Sequence, residues 1–76
     1  MYQSQWRIVC NEKIYVDNLI DFVRTHLSAF ADIVENDDGI FLAIKKDIPI
    51  ARSIFVITAT EKKLETLGGG ELIIAQ

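Results

Sequence analysis

The 76-residue sequence predicts an α+β fold, a single domain over residues 1–76 in which a four-stranded antiparallel sheet carries two helices on one face. Three observations predict it. Apolar residues alternate near the N-terminus and then recur at three-and-four spacing. Turn-forming residues cluster between the periodic segments. The elements so delimited run strand, helix, strand, strand, helix, strand.

In residues 4–10, Trp6, Ile8 and Cys10 alternate with Arg7 and Val9, which reads as a strand, and Asn11, Glu12 and Lys13 form a polar connection after it. Val16, Leu19, Ile20, Val23, Leu27, Phe30 and Val34 then fall on one helical face, with Asp17 suited to cap the first turn and Asp21 close behind it. The leading parsing carries this helix to the turn Asn36, Asp37, Asp38, Gly39. In the alternative, the helix stops near Ser28 and residues 30–35 form a strand that pairs across that turn with the next one.

Residues 40–45 are a strand in either parsing, and Pro49 interrupts the loop 46–52 that follows. Residues 53–60 are rich in Ile, Val, Phe and Thr, which favour a pleated sheet, and are assigned as a strand. The competing assignment is a helix from about Pro49, capped by Asp47, with Ile50, Ile54, Ile57 and Leu64 on one face. Residues 61–67 read as a short helix between Thr60 and Gly68, and residues 71–75 as the last strand. This order of elements, with both helices on one face, is the ferredoxin-like βαββαβ arrangement.

Composition narrows the function. Half of the residues are apolar and 25% are charged, which argues against disorder, and no apolar run approaches the roughly 20 residues of a membrane span. The N-terminus lacks the basic and apolar regions of a signal peptide, and Cys10 is a lone cysteine, so a reducing, cytoplasmic setting is expected. The formal net charge of −3 argues against a nucleic-acid partner.

No residue set points to catalysis, a cofactor or a metal. Gly68, Gly69 and Gly70 resemble a phosphate loop in composition only, because they leave a helix and enter a strand, the reverse of the anion-binding order. Cys10 and His26 could form a nucleophilic pair, but each is better placed as part of an apolar pattern, and no orienting group accompanies them. Asp32, Glu35, Asp37 and Asp38 lack the spacing of a calcium loop. Lys45, Lys46, Arg52, Lys62 and Lys63 suit a solvated surface, and Phe41 and Phe55, the aromatics that could stack on nucleotide bases, are assigned to opposite sheet faces.

The strand faces carry the functional expectation. Arg7, Lys45 and Glu71 should point away from the helices, which puts Val9, Phe41, Ala43, Ile73 and Ala75 on the open face beside them. Trp6, Ile8, Ile40, Leu42, Ile44, Leu72 and Ile74 go beneath the helices, and the strand assigned to residues 53–60 adds Ile54, Val56 and Thr58 to the open face. The expected interaction surface is therefore Val9, Phe41, Ala43, Ile54, Val56 and Ile73. It implies a non-enzymatic module that forms a homodimer or docks a larger protein, since a chain this short hides only about 60% of its unfolded surface. The alternative is a regulatory domain that binds a small metabolite at a subunit boundary, with Gly68 to Gly70 contributing backbone groups.

Overall fold

The structure, a computed structural model, describes residues 1–75. Its elements are β1 (Tyr2–Val9), α1 (Lys13–His26), β2 (Ala31–Asn36), β3 (Gly39–Lys45), α2 (Ile50–Thr66) and β4 (Glu71–Ile74). The strands form one antiparallel sheet in the order β2-β3-β1-β4, and α1 packs on β2 while α2 packs on β4. This is the ferredoxin-like fold.

Two segments take the alternative assignment rather than the leading one. Helix α1 ends at His26, where the Leu27 amide donates to the Val23 carbonyl, and residues 31–36 form β2 in a hairpin with β3. Phe30 and Val34 share helical spacing with α1 by coincidence. Ala31 and Ile33 instead alternate with Asp32 and Val34, so one pair packs toward the core and the other lies on the open face. The turn holds because the Asn36 side chain accepts a 2.8 Å bond from the Asp38 amide and Gly39 takes a left-handed φ of 137°.

Helix α1 also begins earlier than Asp17 would require. Extended Glu12 precedes its first residue, Lys13, and Asp17 lies one turn in, where it accepts a 3.2 Å hydrogen bond from Lys13 at a solvated position.

The assignment of residues 53–60 to a strand is overturned: they lie within α2, and the separate helix at 61–67 is its C-terminal part. The buried stripe of α2 is Ser53, Val56, Thr60 and Leu64, and its two polar members have hydrogen-bond partners. Ser53 Oγ donates to Gln3 Oε1 at 2.8 Å, and Thr60 Oγ1 donates to the Val56 carbonyl at 2.8 Å. Packing of that stripe outweighs the β preference of the local sequence. Asp47 does not cap the helix; it adopts a left-handed φ of 66° in the preceding connection, and the Pro49 carbonyl accepts bonds from the Arg52 and Ser53 amides.

The core between sheet and helices joins Ile8, Leu42, Ile44 and Leu72 of the sheet to Leu19 and Val23 of α1 and Val56 and Leu64 of α2. Gly68 to Gly70 close α2 and turn the chain into β4, and the Gly69 amide donates to the Leu64 carbonyl at 3.0 Å. A side chain at Gly70 would collide with the Val9 carbonyl.

Candidate interaction surface

Strand register fixes which side chains share the open face. Gln5 lies opposite Ala43, Arg7 lies between Phe41 and Ile73, Val9 is opposite Glu71, and Val34 is opposite Phe41. Of the expected interaction residues, Val9, Phe41, Ala43 and Ile73 are therefore on this face. Ile54 and Val56 are not. Val56 is fully buried between α2 and the sheet, and Ile54 projects from the solvent side of the helix.

The middle of the open face is already covered by its own side chains. The Arg7 guanidinium lies 4.9 Å from the centroid of the Phe41 ring and donates to the Asp38 carbonyl in the β2–β3 turn. The Tyr2 hydroxyl donates to Asp32 at 3.0 Å, with Lys45 at 4.0 Å from the other carboxylate oxygen and donating to the Ser28 carbonyl at 2.8 Å. This hydrogen bond to Asp32, helped by burial and the carboxylate charge, holds the Tyr2 phenol above its ordinary pKa. Phe41 and Ala43 are accordingly buried although they face away from the helices. A shallow depression of about 330 Å³ remains beside them, lined by Gln5, Arg7, Asn36, Asp38, Phe41 and Ala75 and containing none of the three consecutive glycines.

The remaining candidates are spread through the fold. Cys10 follows β1, half-buried against the core, and burial pushes its thiol pKa up. His26 lies at the far end of α1, about 20 Å away along the helix at 1.5 Å per residue, exposed and packed against Phe22 with ring centroids 5.2 Å apart. Asp32 is engaged with Tyr2, whereas Asp37 and Asp38 occupy the turn, and among the described residues no group of three or more His, Cys, Asp or Glu side chains converges on a metal-sized site. Arg52 and Lys63 lie over the Phe30 and Phe22 rings, and Phe55 projects from α2 into solvent, remote from Phe41.

The exposed apolar surface lies elsewhere. Arg52 and Lys63 mark the flank of α2 that faces α1. At about 100° per residue, Ile50, Ile54 and Ile57 fall roughly 130 to 170° around the helix from them, on the flank away from α1, with Glu61 between Ile50 and Ile54. On the free edge of β4, Ile73 points to the open face and Ile74, opposite Trp6, to the helix side. Ile50 is 75% exposed, Ile54 59%, Ile74 56% and Ile73 44%, in contrast to the covered sheet centre, and Ile14 on α1 and Phe55 on α2 are exposed as well. Sequence reasoning assigned Ile74 to the covered side correctly and missed its exposure, because the position of β4 at the sheet edge depends on strand order.

Compared with models of protein families, with curated proteins and with solved structures, the chain matches none. Among the described residues no helix is long and apolar enough to cross a membrane.

Proposed function

We propose that this chain is a protein-association module, and that its contact surface is the β4 edge with the adjoining flank of α2 rather than the centre of the open sheet face. The observation that carries this reading is the exposure of Ile73 and Ile74 on an edge strand and of Ile50 and Ile54 on the helix that packs on that strand, while Arg7, Tyr2 and Lys45 lie across the face the sequence nominated. The two sheet edges also differ. β2 carries Asp32 and Glu35, charges of the kind that discourage strand addition, whereas β4 is apolar after Glu71.

The test compares the wild type with an Ile54→Glu/Ile74→Lys double variant and a Val34→Lys control on the opposite edge. Association, measured by sedimentation and by capture of binding proteins from native extract, is expected to be lost in the double variant and retained in the control. Equal behaviour of all three proteins would refute the reading.

A further inference from the structure

We propose that the depression on the open face of the sheet is a binding site for a small polar monocarboxylate, with the Arg7 guanidinium taking the carboxylate. Ile50, Ile54, Ile73 and Ile74 do not line it, so the site stands or falls independently of the association reading.

Arg7 is held in place on this face. It is half-buried on the interior strand β1, its guanidinium lies 4.9 Å from the centroid of the Phe41 ring, and Nη1 donates to the Asp38 carbonyl at the β2–β3 turn. Those contacts fix the position of the group and leave its charge unmatched. Among the described residues the ion pairs join Lys13 to Asp17 and Lys45 to Asp32, so no carboxylate stands at ion-pair distance from Arg7. A guanidinium presents several N–H donors in a planar fork, and a carboxylate matches that fork through parallel hydrogen bonds.

The rest of the lining supplies neutral hydrogen-bonding groups. The Asn36 side-chain oxygen accepts a 2.8 Å bond from the Asp38 amide, which leaves the Asn36 NH2 group as a donor, and Gln5 adds a second carboxamide beside Ala75. The volume of about 330 Å³ is at the small end of the roughly 300–1,000 Å³ of small-ligand sites. Because the Phe41 ring is covered by Arg7 and only 6% exposed, a ligand here meets polar groups more than aromatic surface. That favours a compact carboxylate carrying a further oxygen for the amides over a flat aromatic acid. Asp38 sets the ligand's charge. It is the acidic residue of the lining and Arg7 the basic one, so a dianion would meet one cation and an acidic neighbour, and a monoanion is the better match.

The test titrates sodium lactate into the full chain by NMR, with the Arg7 Nε–H and the Gln5 and Asn36 side-chain amides as reporters and with sodium sulfate and sodium chloride as comparison salts. Lactate is expected to give saturable shifts with a midpoint below about 10 mM. Sulfate should have a midpoint at least tenfold higher, and chloride should produce only a linear drift. Arg7→Met keeps the cover over Phe41 and removes the charge, and it should raise the lactate midpoint at least tenfold as read from Gln5 and Asn36. Arg7→Lys keeps the charge without the planar fork, should weaken lactate likewise, and serves if the methionine variant fails to fold. Shifts that do not saturate by about 100 mM, or that saturate equally in the Arg7 variants, overturn the site. A sulfate midpoint equal to or below that of lactate overturns a monocarboxylate as its ligand.

Discussion

The Arg7 guanidinium lies over the Phe41 ring at 4.9 Å on the face of the sheet that has no helices, and the same group donates to the Asp38 carbonyl at the β2–β3 turn. One side chain thus shields an aromatic ring from water and ties a hairpin end to the central strand. Arg7→Ala is expected to lower stability by about 1 kcal/mol through the lost cation–π contact and lost cover. Arg7→Met keeps the cover without the charge and should recover part of that loss. Urea unfolding of the three proteins measures both differences.

Val56 and Ile54 separate the helix from the strand that local composition suggests. Val56 has no exposed surface and Ile54 is mostly in water. Val56→Glu should abolish folding, since an unpaired buried carboxylate costs several kcal/mol, of the order of a small domain's whole stability. Ile54→Glu should change stability by no more than about 0.5 kcal/mol at low protein concentration. Circular dichroism melts distinguish them. Equal destabilisation would contradict the burial pattern of α2.

The Tyr2–Asp32 hydrogen bond requires a protonated phenol. Because the folded-state pKa lies above that of the unfolded chain, the bond's contribution to stability is present below the unfolded value and is lost as pH rises through the folded one. In a Tyr15→Phe background, the phenolate absorbance of Tyr2 should develop at higher pH than that of a free tyrosine amide. Asp32→Asn should move the transition back down.

Cys10 should react with a thiol reagent more slowly than a free cysteine at neutral pH, because partial burial disfavours its thiolate. The rate should climb as pH is raised through the elevated pKa. A rate at or above that of the free thiol would show that the apolar surroundings do not govern this group.

The faces of three strands were legible because charged Arg7, Lys45 and Glu71 mark the outward side by alternation. The leading assignment omitted the β2 strand and placed one at residues 53–60, so its order of elements matched the fold while two of its elements did not. Helix α2 was hard to read because Ser53 and Thr60 occupy its buried stripe, while Ile54 and Phe55 occupy its wet surface. Periodicity tracks burial only when polar residues stay outside. Satisfying Ser53 through Gln3, a residue 50 positions away, is a tertiary event that no local window contains. The exposed apolar edge was illegible for a similar reason: Ile73 and Ile74 are surface residues because β4 is an edge, and strand order is a property of the assembled sheet.

The composition of α2 also bears on what happens when the molecule opens. From Ser53 to Thr60 the helix contains no charge and no proline, and it is dominated by β-branched and aromatic side chains. Its helical state is sustained by the sheet beneath it, so a chain that loses this packing carries an uncharged extended segment of the kind that nucleates cross-β aggregation. Arg52 on one side and Glu61, Lys62 and Lys63 on the other bracket the segment with charge. Charges flanking such a segment oppose its stacking with other copies. Replacing them with neutral side chains would leave the native fold largely intact while shortening the time that a partly unfolded population stays in solution.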